Sequence, residues 1–223
     1  MAGNVNLLAL ETTSSQASIA LFAKNTWFIQ EEKSLKRHTE VILPIVEALL
    51  KQAGIGLSEL DGIVFSEGPG GFTGLRVACS VAKGLAYADD LPLYPVSSLE
   101  TIMFTAGSKD MPVLALLDAR MKELYWALSG DDAKTDVDAF VSPPQSIILP
   151  PSVEECIIAG LGYEAYFSDL PIATQKACVK NVVVRPSADN MIKLVLSKGM
   201  KPVSVHEAMP KYIRNQVVGG VGG

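Results

Sequence analysis

The chain has 223 residues and a mass of 23.8 kDa, with 48% hydrophobic residues, a formal net charge of −5 and a sequence pI near 5.1. A chain of this size buries a large core, as one big or two small domains. Its acidic balance is a poor electrostatic match for nucleic acid, so any role with RNA requires another subunit to supply positive surface.

Three cysteines, Cys79, Cys156 and Cys178, show no C-x-x-C spacing and read as buried reduced thiols. No basic and then apolar leader opens the chain, and no apolar run reaches about 18 residues. The expectation is a soluble cytoplasmic protein.

In chain order, residues 5–10 are an apolar run that ends in the polar turn Glu11-Thr12-Thr13-Ser14-Ser15. Residues 17–23 and 27–31 resume strand character, which predicts an opening of three antiparallel strands. The hydroxyl-rich turn could face a phosphate, although an ordinary hairpin is the plainer reading. Residues 36–53 form the first long helix, with Val41, Ile42, Ile45, Val46, Leu49 and Ala53 on one apolar stripe. Leu43 and Leu50 add apolar surface on another side, so this helix is either sandwiched in the core or covered by a partner. Pro44 removes one helical donor and predicts a bend.

The most distinctive stretch is residues 61–102. Ile63, Val64 and Phe65 read as a short buried strand, and the segment Ser66-Glu67-Gly68-Pro69-Gly70-Gly71 forces a turn. Residues 72–87 have helical periodicity, residues 92–96 read as another strand, and Ser97 with Glu100 forms a capping-box pattern for a further helix. Glycines beside a helix start can hold an anion. Yet Gly74 is followed by Leu75 and Arg76, where a P-loop has Lys and then Ser or Thr, and Thr73 stands where a dinucleotide fingerprint needs glycine. A tight turn that seats the helix on a sheet is the simpler alternative. Gly74, Ala78, Ala82 and Ala86 form a stripe of small side chains, with Leu75, Val81 and Leu85 beside it. That stripe is built for close packing, inside the domain or across an interface.

Residues 111–117 read as a buried strand and 123–128 as its hairpin partner, with Asp118 and Arg120 in the turn between them. A catalytic acid and an anion clamp is one reading of that pair; a turn-capping Asp and a surface Arg is the commoner one. Residues 130–151 shift to Asp, Pro, Ser and Thr and suggest an exposed connection with short strands. Residues 156–159 form a short strand ahead of Gly160-Leu161-Gly162, and residues 188–196 are helical with Ser187 as N-cap. Residues 209–214 read as extended, and the closing VVGGVGG as a mobile tail. The two histidines, His38 and His206, are too far apart in sequence to suggest a metal pair.

Five segments, in order and spanning nearly the whole chain, resemble the TsaB (YeaZ) family of bacterial tRNA threonylcarbamoyladenosine biosynthesis proteins. They are LALETTSSQASIAL at 8–21, RHTEVILPIVEALL at 37–50, SEGPGGFTGLRVACSVAKGLA at 66–86, LLDARMKELYWAL at 116–128 and PKYIRNQV at 210–217. Two positions depart from the family pattern: Glu11 replaces a frequent Asp, and Gly71 replaces a usual Ser. Both departures weaken a phosphate-binding reading of these loops.

The resemblance implies an α/β fold of the actin-like ATPase (ASKHA, ribonuclease H-like) type with two related lobes. These are expected at 1–106, carrying the dimerisation helices, and 107–223, smaller and with the mobile tail. It implies a non-catalytic subunit, with no catalytic or metal residues of its own, that supports a TsaD-like transferase together with a TsaE-like ATPase. Transfer is to N6 of adenosine 37 in tRNA, which is reached only through the complex. No cofactor is expected to bind this chain stably; ATP or ADP and a metal belong to the partners. The interface, for a homodimer and for its exchange with the transferase, is expected at Val41, Ile42, Ile45, Leu49, Gly74, Leu75, Ala78 and Ala82. Ser66, Thr73 and Arg76 are the candidate contacts to an interface nucleotide or carboxylate.

Two other readings compete. A nucleotide-using phosphotransferase would need phosphate loops in both lobes and an acidic magnesium ligand; the Gly160-Leu161-Gly162 turn is too thin for the second loop, and Glu11 is at most a metal contact. A metallopeptidase would need zinc-ligand spacing that the two histidines do not offer.

Overall fold

The computed structural model describes residues 5–33, 38–107, 111–130 and 137–213. The start of the first helix at residues 36–37, the end of the PKYIRNQV motif and the VVGGVGG tail lie outside them, as does the His38 side chain. Two compact units result: residues 1–101 with 186–210, and residues 102–185 with 211–223.

The first unit is built on a five-stranded sheet. β1 (Leu7–Glu11), β2 (Ala17–Ala23) and β3 (Thr26–Glu32) form the expected antiparallel meander. β4 (Gly62–Gly68) then pairs parallel with β1, and β5 (Leu93–Ser97) parallel with β4, giving the order β3-β2-β1-β4-β5. Pro95 sits in β5, an edge strand, where a missing N–H is tolerated. Successive side chains of a strand point to opposite faces, and the core divides accordingly. Leu8, Leu10, Ile19, Leu21, Ile63 and Phe65 pack against one set of helices; Leu7, Ala9, Ala20 and Val64 join the apolar layer on the other face.

α1 (His38–Ala53) and α2 (Phe72–Tyr87) cover the first face. The second face is covered by α5 (Ala188–Lys198), through Ala188, Met191, Ile192, Leu194 and Val195. A division at residue 106 assigned that helix to the other lobe. Its apolar stripe instead completes the first sheet, and the amide of Ala188 donates to Ser18 Oγ on β2 at 3.1 Å. Ser187 occupies the N-cap position of α5, but its hydroxyl bonds Asp189 rather than a helix amide.

α3 (Ser98–Ala106) begins in the first unit. Ser97 Oγ accepts the Glu100 amide, while the Glu100 carboxylate pairs with Lys198 at 3.2 Å, so one half of the capping box is replaced by an ion pair.

The second unit repeats the same scheme. β6 (Val113–Asp118), β7 (Leu124–Leu128) and β8 (Phe140–Ser142) form an antiparallel meander. β9 (Cys156–Leu161) joins β6 in parallel, and β10 (Cys178–Val183) joins β9, giving β8-β7-β6-β9-β10. Its crossover elements are shorter, a 3-10 segment (Tyr163–Asp169) and α4 (Ile172–Ala177). The strand order of the first unit is thus duplicated in the second, as expected of two related α/β lobes.

Candidate functional site

The glycine-rich loop between β4 and α2 lies directly against the β1–β2 turn. The Gly71 amide donates to the Thr13 carbonyl at 2.8 Å, and Thr12 Oγ1 donates to the Gly74 carbonyl at 2.6 Å. A Cβ on Gly70 would stand 2.6 Å from Thr13 Cβ, and one on Gly74 would overlap the Thr12 carbonyl. The two segments touch backbone to backbone, which only glycine permits. No room is left between them for a phosphate, so the glycines act here as the tight seat of a helix.

Beneath this contact is a sealed polar cluster. Glu11 is fully buried, and its Oε1 accepts both the amide and the hydroxyl of Thr13, each at 2.6 Å. Thr13 Oγ1 stands 3.2 Å from Ser98 Oγ, and Ser98 Oγ stands 2.9 Å from Ser66 Oγ. Glu11 Oε2 meets no donor in hydrogen-bond geometry among the described residues. Burial pushes the Glu11 carboxyl above its ordinary range, against the opposing pull of the Thr13 and Ser66 hydroxyls and nearby amides. A shielded acid that favours its neutral form can organise a turn, but it is out of reach of a substrate.

The structure therefore separates the three candidate ligand contacts. Ser66 is buried in this cluster, whereas Thr73 and Arg76 are exposed, with the Arg76 guanidinium 3.9 Å above the Phe72 ring. Ser98 was missed by sequence reasoning because the neighbouring Ser97 carried the capping signal.

Most of the residues expected at the interface are interior. Ile42, Ile45, Leu49, Leu75, Ala78 and Ala82 are all buried within the first unit. The small-residue stripe, with Ala86, turns inward so that α2 sits close on the sheet. Val41 and Gly74 are half-buried. What α1 and α2 show to solvent is a different set: Leu43 is 52% exposed, Phe72 55% and Tyr87 74%, with Glu47, Ser80 and Gly84 between them.

In the second unit, Asp118 Oδ1 accepts the Arg120 amide at 2.8 Å, so Asp118 caps its turn, and the Arg120 side chain is exposed. Gly162 has φ +79° and lies so close to Asp118 that a Cβ would stand 2.8 Å from Asp118 Cβ. His206 is exposed. Among the described residues, no three His, Cys, Asp or Glu side chains gather in a metal-binding group, and no helix is long and apolar enough to cross a membrane.

Residues 28–216 match the family model described as TsaD, tRNA N6-adenosine threonylcarbamoyltransferase. The tRNA threonylcarbamoyladenosine biosynthesis protein TsaB of Haemophilus influenzae is 31% identical over 96% of this chain and 95% of its own length. The protein of the same name from Escherichia coli is 30% identical over 96% of each. The solved structure of YeaZ from Pseudomonas aeruginosa superposes with a TM-score of 0.81 at 31% identity, covering 93% of this chain and 99% of that one. Similarity that runs end to end through both lobes, together with the duplicated sheet order, places this chain in the TsaD-model family and, within it, among the TsaB (YeaZ) proteins of tRNA threonylcarbamoyladenosine biosynthesis.

Proposed function

We propose that this chain is the non-catalytic subunit required for forming N6-threonylcarbamoyladenosine in tRNA, and that it binds and supports a TsaD-like transferase. The observation that carries the reading is the full-length similarity to proteins named TsaB. The site chemistry supports a supporting role. Glu11, the one acid read as a metal contact, is sealed from solvent, and the glycine loop is closed against the turn that would face a phosphate.

The docking face is the outward side of α1 and α2, with Leu43, Phe72 and Tyr87 as its apolar anchors and Arg76 beside them. The isolated chain forms a homodimer through that face and exchanges it for the transferase, and a TsaE-like ATPase joins the pair in the cytoplasm. Nucleotide and metal reside in those partners, and tRNA is held by the assembled complex, in keeping with this chain's net charge of −5.

The test is tRNA modification with purified transferase, ATPase and adenylate-forming enzyme, with and without this chain, read by mass spectrometry of the nucleosides. Product only when the chain is present, and none from the chain alone, is expected. Equal modification without it would overturn the proposal.

A further inference from the structure

Two of the three thiols stand opposite each other in the second unit. Cys156 opens β9, Cys178 opens β10, and the two are direct partners in the parallel register of these strands. Both belong to the same apolar layer, with Tyr163 and Ala177, so their side chains lie on one face of the sheet. Neighbouring strands run about 4.8 Å apart, and a disulfide accepts Cα separations of roughly 4.4 to 6.8 Å. A register irregularity follows Cys178, between it and Lys180, and loosens the ladder at the position where a sulfur would have to turn. The two thiols also differ in access. Cys156 is fully buried, while Cys178 is half-buried at the edge strand, its thiol directed at the Lys180 carbonyl at 3.5 Å.

We propose that Cys156 and Cys178 are a modification site: a thiol pair that a low-molecular-weight disulfide oxidises to a cross-strand disulfide joining β9 to β10. The Cys178 thiolate attacks the small disulfide, forms a mixed disulfide and expels one small thiolate. Cys156 then loses its proton to solvent and attacks the Cys178 sulfur, expelling the second small thiolate. The protein gives up two protons and two electrons, and the small disulfide is reduced to two thiols. Burial, and after it the neighbouring Cys178, pushes the Cys156 thiol up to about 11. The closing step is therefore the slow one, and its rate rises about tenfold per pH unit from neutrality toward that value.

The experiment uses the whole folded protein and oxidised glutathione, with acid quenching, intact mass and peptide mapping along a pH series. In the wild type, a glutathione adduct on Cys178 is expected to appear first and then decay to a Cys156–Cys178 linkage, with decay about tenfold faster per pH unit. Cys156→Ser is expected to stop at the adduct, and Cys178→Ser to take up no glutathione at Cys156. An adduct on Cys178 that persists in the wild type across the pH series would overturn the proposal, as would linkage through Cys79. The wild-type series decides the matter by itself if either variant fails to fold.

Discussion

Glu11 and Asp118 are topological equivalents. Each ends the first strand of its sheet, and each carboxylate accepts the amide N–H two residues further on, from Thr13 at 2.6 Å and from Arg120 at 2.8 Å. The first lobe closes its turn beneath the glycine loop, so its acid is fully buried, whereas Asp118 remains half-buried under an open hairpin. The same local hydrogen bond thus sits in two different dielectric surroundings.

The buried acid has a pH signature. The native state holds the Glu11 proton to a higher pH than the unfolded chain, whose ordinary value is 4.5, because burial disfavours the charge. Above 4.5 and up to the raised native value, the native state binds the extra proton, so stability falls as pH rises through that window. Glu11→Gln keeps the oxygen that Thr13 needs and puts an uncharged group in place of Oε2. It is expected to flatten this slope and to melt above the wild type at neutral pH, the gap closing as pH falls below the ordinary carboxylate range. Glu11→Ala leaves the Thr13 amide without its acceptor and should cost about 1–3 kcal/mol. Thermal unfolding of the three proteins across pH measures both effects.

Two glycines of α2 should respond in opposite senses. In Gly74→Ala the new methyl would overlap the Thr12 carbonyl, so the helix must shift off the β1–β2 turn, at a cost of about 1–3 kcal/mol or more. Gly84 is exposed in the same helix with nothing within 4 Å of an added Cβ. Gly84→Ala is expected to gain up to about 1 kcal/mol from helix propensity. Denaturant midpoints of the two variants provide the comparison.

Burial and docking separate on α1. Ile45 is buried and Leu43 is 52% exposed. Ile45→Glu places a charge in the core and is expected to unfold the first lobe, whatever its partners. Leu43→Glu should leave the melting temperature within the range of ordinary surface changes, about 0.5 kcal/mol. It is expected instead to weaken self-association and transferase binding. Circular dichroism and sedimentation on both variants distinguish the effects; unchanged association in folded Leu43→Glu would exclude this face.

The hairpin after Asp118 carries three successive non-glycine residues in the left-handed region, with φ of 63° at Arg120, 54° at Met121 and 61° at Lys122. Such a conformation costs roughly 1–2 kcal/mol per residue with a Cβ. Lys122→Gly relieves part of that and loses roughly 0.5–1 kcal/mol to the freer unfolded chain. A net gain of a few tenths to about 1 kcal/mol is expected, read as a higher denaturant midpoint. A loss would mean that Lys122 contributes through its side chain.

The alternation of apolar residues in strands such as Ile63-Val64-Phe65, the turn signals between them and the period of residues 72–87 are local properties. By itself the sequence determined the opening meander, the strand–glycine turn–helix unit and the central hairpin of the second half. The family motifs were legible for the same reason, since they are contiguous. β10 and α4 were not legible, because the short run CVKNVV is an edge strand whose side chains are mostly exposed, and a six-residue helix carries too little periodicity.

Which partner covers an apolar stripe is a non-local matter, and there only the tertiary structure decided. Ile42, Ile45, Ala78 and Ala82 would look the same in sequence against their own sheet or against another chain; they pack on their own sheet. In the same way, α5 returned across the chain to complete the first lobe, Ser98 joined Thr13 and Ser66, and Glu11 was sealed. Each of these depends on segments far apart in sequence meeting in space, and hydrophobicity, being non-directional, does not specify which surfaces meet.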